Sequence, residues 1–92
     1  MKKSDAPLIS IRWEKRAFKE FKALGRQDQN RVFKAVEELR ASPLKGKMMS
    51  AQWKGLRRIR VGDIRVIYAF DGRQLLISVI RVGHRRDVYK TR

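Results

Sequence analysis

Arg58, Arg60 and Arg65 are the residues of this chain best suited to chemistry. They stand in Leu56-Arg-Arg-Ile-Arg-Val-Gly-Asp-Ile-Arg-Val-Ile-Tyr-Ala-Phe-Asp-Gly-Arg73. A second group, Val82-Gly-His-Arg-Arg-Asp-Val-Tyr89, follows near the C-terminus. The guanidinium is planar, matches phosphate oxygens two at a time and keeps its charge. Three arginines that converge, followed by His84-Arg85-Arg86, point to an anion site, and the commonest such anion is a polyphosphate backbone. Arg60 and Arg65 are the candidates for the phosphate itself, with Arg85 or Arg81 approaching from the last strand. Arg58 and Arg86 are candidates for further RNA contacts. Tyr89 can stack on a base or move a proton, and the second role needs a pKa below the free phenol's value of about 10. His84 is a further candidate for contact with the RNA phosphate or for taking the proton, and it reads equally well as a plain turn histidine.

Such a set suits cleavage of a phosphodiester by the RNA's own 2′-hydroxyl. Attack on the adjacent phosphate builds negative charge on the phosphoryl oxygens, and fixed cations aimed there stabilise it. Holding the 2′-oxygen in line contributes much of the rest. Other chemistries are poorly served. A single histidine excludes a two-histidine nuclease, and the nine carboxylates are scattered without a metal-ligand pattern. There is no P-loop and no glycine-rich dinucleotide turn, so no cofactor is expected.

The elements that must position these residues follow from periodicity. Apolar and polar residues alternate over Arg58–Val61, as in a strand with two unlike faces. Gly62-Asp63 is a two-residue hairpin loop with glycine first, as a type II′ turn requires. That loop sets Val61 opposite Ile64, Arg60 opposite Arg65 and Ile59 opposite Val66. Arg58, Arg60 and Arg65 then share one face, and a one-residue slip would bury them. Arg57 falls on the apolar face in this register and does not fit it. Asp71-Gly72 predicts a second tight turn, of type I′, and Leu75–Val82 a central strand apolar on both faces, which Gly83 breaks.

Upstream, Leu8–Trp13 reads as a first strand and residues 1–7 as a loose leader. Ala17, Phe18, Phe21 and Leu24 recur at helical spacing, and Gly25 is placed to end that helix. Asp28 is placed to cap a second helix. Val32, Phe33, Val36 and Leu39 form its stripe, and Ser42-Pro43 stops it. The phenylalanines are expected in the core. Leu44–Gly55 is a long loop, of a kind that often carries function. Trp53 within it reads as closing the end of the core or, less simply, as stacking on a base. The expectation is one α+β domain over residues 1–92, ordered β-α-α-β-β-β. It has a small, mainly antiparallel sheet, a helical hairpin packed on one face and an open basic face.

Composition agrees. Ninety-two residues with 42% hydrophobic content can form one modest core, and a net charge of +15 favours polyanionic or acidic partners. The chain has no cysteine, which fits a cytoplasmic protein, and no apolar run of transmembrane length. Met1-Lys2-Lys3 is not followed by the apolar stretch of a signal peptide.

The two quoted motifs together resemble those of the RelE toxins of bacterial and archaeal toxin–antitoxin systems, and the resemblance covers nearly the whole chain. It implies the same fold. It also implies an endoribonuclease that enters the ribosomal A site and cleaves mRNA there, and a neutralising antitoxin with an acidic segment. By the same resemblance the family's basic pair falls on Arg58 and Arg60, its third-strand arginine on Arg65, and its late arginine and tyrosine on Arg85 and Tyr89. The basic pair is often lysine in the family. Arginine is effectively never deprotonated, so neither Arg58 nor Arg60 is a general base. Two other readings stand beside this one: a toxin of the related ParE type acting on DNA gyrase, and an RNA-binding module without turnover.

Overall fold

The computed structural model of the protein describes residues 8–84. A strand, Ser10–Trp13 (β1), leads into two helices, Lys15–Lys22 (α1) and Arg26–Glu38 (α2). Four further strands follow: Lys47–Met48 (β2), Arg57–Val61 (β3), Ile64–Asp71 (β4) and Leu76–His84 (β5). They form one five-stranded sheet in the order β1-β5-β4-β3-β2. Only β1 pairs in parallel, with β5. The expected α+β arrangement holds, with β2 as a short addition inside the long loop.

The β3–β4 hairpin has the register that alternation and the Gly62-Asp63 turn demand. Val61 lies opposite Ile64, Arg60 opposite Arg65, and Ile59 opposite Val66. Gly62 has φ 63° while Asp63 stays out of the left-handed region, as a type II′ turn requires. The second turn differs from expectation. Asp71 pairs with Leu76, leaving a four-residue loop, and Leu75 takes φ 53°. The Asp71 carboxylate accepts the N–H groups of Arg73 and Gln74 at 2.9 and 3.2 Å. An aspartate that satisfies its own turn in this way competes with the tight Asp-Gly closure. Nor does Gly83 break the last strand: it pairs with Arg65, and β5 continues to His84.

The helical hairpin is closed differently from the sequence expectation. Gly25, at φ −65°, is extended and begins α2; it does not end α1. The Gln29 amide instead donates to the carbonyls of Lys22 and Leu24, at 3.1 and 3.0 Å, which serves the open end of α1. Asp28 lies inside the first turn of α2, where a carboxylate favours the helix dipole. It pairs there with Arg31 at 3.5 Å.

Ala17, Val32 and Val36 pack on Ile64, Val66, Val79 and Val82, and Leu39 packs with Ile9, Tyr68 and Ile77. Two phenylalanines are not core: Phe18 is 46% and Phe33 50% exposed. Successive residues turn about 100° around a helix. With Val32, Val36 and Leu39 facing the sheet, Phe33 is carried off the buried stripe. Phe21 does pack, its ring 4.8 Å from that of Trp13.

The Leu44–Gly55 segment contains β2 and a single 3-10 turn, Ala51–Trp53. Trp53, Leu56 and Ile67 form a third apolar cluster with Met49, Ala69 and Ile80. By the strand register, Ile67 shares its face with Arg58. Part of the face expected to be open is therefore roofed by this segment. Trp53, 6% exposed, closes that cluster and offers no free ring for stacking.

Candidate nucleic-acid interface

Arg60 and Arg65 lie at the hairpin end of the sheet and Arg58 nearer the roof, where it lines a hollow with Met49 and Trp53; Arg60 is exposed and the other two are half-buried. Cross-strand partners share a face, so Arg60 and Arg65 stand side by side. Gly83 flanks Arg65 on its other side and brings no side chain to crowd it. A cleft of about 410 Å³ opens at this end. Among the described residues its polar lining is cationic: Arg58, Arg60, Arg65, Lys45 and Lys47, with Ile59 and Ala35 as the apolar part. Like charges placed opposite each other destabilise a sheet, and this one keeps two such pairs, Arg60–Arg65 and Lys47–Arg58. The arrangement is suited to an anion with more than one charge.

Lys45 and Lys47 were not among the residues singled out from sequence. A lysine on each side of a glycine, in a long loop, was the only signal. What brings them to the arginines is a distant contact. The Tyr68 hydroxyl donates to the Pro43 carbonyl and accepts the Gly46 N–H, both at 2.8 Å. Arg57, which did not fit the arginine face, lies opposite Tyr68 and donates to the carbonyls of Leu44 and Gly46 at 3.1 and 2.8 Å. Its guanidinium pins the loop. Burial raises the Tyr68 pKa above the usual value of 10.0, and the Gly46 N–H and the Arg57 charge draw it partly back. Tyr68 is therefore a neutral pin, not a proton carrier at ordinary pH.

Of two further sequence candidates, Arg81 is tied up by a carboxylate and His84 lies on the opposite face. Arg81, expected near the phosphate, is 4% exposed and held by Glu20. Its Nε donates to both carboxylate oxygens at 3.2 and 3.0 Å, and its terminal nitrogen lies 2.9 Å from one of them. The cause is where β1 ends. Beyond Val79 no described strand pairs with that edge of β5, and the Glu20 carboxylate accepts the Val82 N–H there at 2.8 Å as well. His84 pairs with Ile64, so the register puts it on the helix side of the sheet, away from Arg60 and Arg65. Arg85, Arg86 and Tyr89 lie outside the described residues. Among the described residues no group of three or more His, Asp or Glu could hold a metal ion. No described helix is long and apolar enough to cross a membrane.

The family to which the chain belongs is one of small toxins of toxin–antitoxin systems. The family model of the ParE toxin of type II toxin–antitoxin systems, parDE, matches residues 11–89. The chain belongs to this family, within the RelE/ParE superfamily, and its fold is that of the RelE-type toxins. The toxin–antitoxin complex RelBE2 of Mycobacterium tuberculosis contains a similar chain. It is 25% identical over 86% of this chain and 100% of that one, with a TM-score of 0.78. A RelE variant of E. coli in the free state is 22% identical, covering 90% of this chain and 92% of that one, with a TM-score of 0.76. YafQ of E. coli is also 22% identical, over 88% and 98%, with a TM-score of 0.73. A sequence comparison with curated proteins gives no match.

Proposed function

We propose that this toxin is a metal-independent endoribonuclease, an mRNA interferase, that cleaves mRNA in the ribosomal A site and so inhibits translation. The observation that carries the reading is the Arg60–Arg65 pair, set side by side in a cleft whose described polar lining is cationic. In the proposed step the 2′-hydroxyl gives up its proton as its oxygen forms a bond to the adjacent phosphorus, the bond to the 5′-oxygen breaks, and that oxygen takes up a proton, so that protons balance. The products are a 2′,3′-cyclic phosphate and a 5′-hydroxyl. Arg60 and Arg65 meet the charge that builds on the phosphoryl oxygens, and Arg58 holds the strand. By the family resemblance, Arg85 and Tyr89 complete the set, with Tyr89 either stacking or carrying the proton. Arginines in the family's lysine positions leave positioning and electrostatics with a large share of the rate.

The neutralising partner in this reading is an antitoxin with an acidic segment, complementary to the +15 chain. Solved structures of similar fold, RelBE2 of M. tuberculosis and RelBE of E. coli, are toxin–antitoxin complexes.

The test is primer extension on a defined mRNA, with purified protein, in the presence and absence of programmed 70S ribosomes. New 5′ ends that require ribosomes are the expected result. Cleavage of free RNA would keep the nuclease and remove the ribosome from the reading. One observation favours a second reading: the matching family model is that of ParE toxins. A gyrase-directed toxin would stop growth and inhibit supercoiling with no new RNA ends.

A further inference from the structure

The cleft has two walls. One is the arginine face of the β3–β4 hairpin. The other is the loop ahead of β2, where Lys45 and Lys47 flank Gly46. This second wall is built, not loose. Gly46 is buried and clamped by Tyr68 and Arg57. A Cβ added to Gly46 would come within 2.7 Å of the Tyr68 ring and hydroxyl, so the loop lies as close to Tyr68 as its backbone allows. Both lysines are exposed and turned to the cleft. Among the described residues no carboxylate forms an ion pair with Lys45, Lys47, Arg60 or Arg65. Lys47 stands directly across from Arg58, two residues along β3 from Arg60. That step is about 7 Å, the scale of one nucleotide of extended backbone.

We propose that Lys45 and Lys47 bind a second phosphate of the same RNA strand, next to the one held by Arg60 and Arg65. The occupant is single-stranded RNA, threaded past the edge of β3. This rests on the ribonuclease reading, and it adds a strand-holding subsite that would act on binding more than on the chemical step. A clamped loop suits that task, since groups already fixed lose less freedom on binding.

The experiment is equilibrium binding of the full-length protein to a labelled RNA oligonucleotide, methylated on its 2′-oxygens to prevent cleavage, over a range of salt. Four proteins are compared: wild type, Arg65→Ala, Lys45→Ala/Lys47→Ala, and Lys19→Ala/Lys34→Ala as a charge-matched control on the exposed helices. The Lys45/Lys47 variant is expected to bind at least fivefold more weakly than the control. Its plot of log K against log salt should be shallower by about 0.7, the value of one single-strand phosphate contact. If Arg65→Ala weakens binding but the Lys45/Lys47 variant matches its control in affinity and slope, the subsite is wrong and the arginine site stands. If wild type has no measurable affinity for the oligonucleotide, the subsite and the RNA reading fall together.

Discussion

At the scale of single residues, Arg65 separates function from fold. It is half-buried beside Gly83 and forms no ion pair with a described carboxylate, so its side chain fastens no other described element in place. Arg65→Ala should therefore leave thermal unfolding within a few degrees of wild type and lower the cleavage rate by about 10²–10³, as loss of one charge-stabilising donor does. Full toxicity in the folded variant would remove Arg65 from the site. Tyr68 makes the opposite case, since its hydroxyl holds structure. Tyr68→Phe leaves the buried Gly46 N–H without its acceptor, which costs about 1–3 kcal/mol, or at least about 4 °C in Tm for a domain of this size. The pH dependence follows from the raised phenol pKa. The folded protein holds this proton more tightly than the unfolded chain, whose tyrosine titrates near 10.0. The stability so contributed is full below pH 10 and declines as pH rises through the folded value. The gap between wild type and Tyr68→Phe should therefore narrow above pH 10, and a constant gap would mean that the phenol is not buried. The arginine face was legible from sequence because alternation and a two-residue turn are local signals. Lys45 and Lys47 were not, because a contact between residues 22 apart brings their loop to the cleft.

At the scale of elements, local signals settled four of the five described strands, missed the two-residue β2 and failed at ends. Asp71-Gly72 reads as a tight turn until the aspartate is seen serving Arg73 and Gln74. Gly25 reads as a helix stop until Gln29 is seen doing that work from the next helix. The choice between neighbouring residues on a helix, Phe33 or Val32 inward, depends on which side the sheet lies, and periodicity alone leaves about 100° undecided. The largest such effect is at the edge of β5 beyond its last described pairing with β1. Glu20 of α1 neutralises Arg81 and accepts the Val82 N–H, so one carboxylate fastens a helix to the strand that runs beside Arg65. Removing one partner of a buried pair costs about 3–5 kcal/mol. The Glu20 side chain is 25% exposed, which places Glu20→Ala near the lower figure. The expected Tm drop is more than about 10 °C, read by circular dichroism. A drop of a degree or two would mean that the Arg81 cation finds water in the variant and that β5 does not depend on the helix for its edge.

At the scale of the whole molecule, the excess of cations sets stability as well as partners. A chain of 92 residues with a net charge of +15 repels itself in the folded state. The five described ion pairs are mostly between exposed groups, worth little each, with Arg81–Glu20 the exception. Repulsion should therefore outweigh surface attraction. Salt then ought to stabilise the protein. Raising ionic strength from about 0.01 to 0.1 M shortens the screening length from about 30 to 10 Å, and Tm is expected to rise by several degrees across that range. The rise should be smaller in Arg60→Ala/Arg65→Ala, which removes one of the two like-charge pairs in the sheet. A ligand that fills the cleft acts differently from screening. It stabilises by mass action, by about 2.7 kcal/mol at a hundredfold excess over its Kd. A short single-stranded RNA should thus raise Tm well beyond sodium chloride of equal ionic strength, and the excess should vanish in the same double variant. If Tm falls with added salt, attractive pairs dominate and the like-charge pairs carry no strain for a partner to relieve. If RNA and salt act alike at equal ionic strength, the cleft is a charged surface with no site in it.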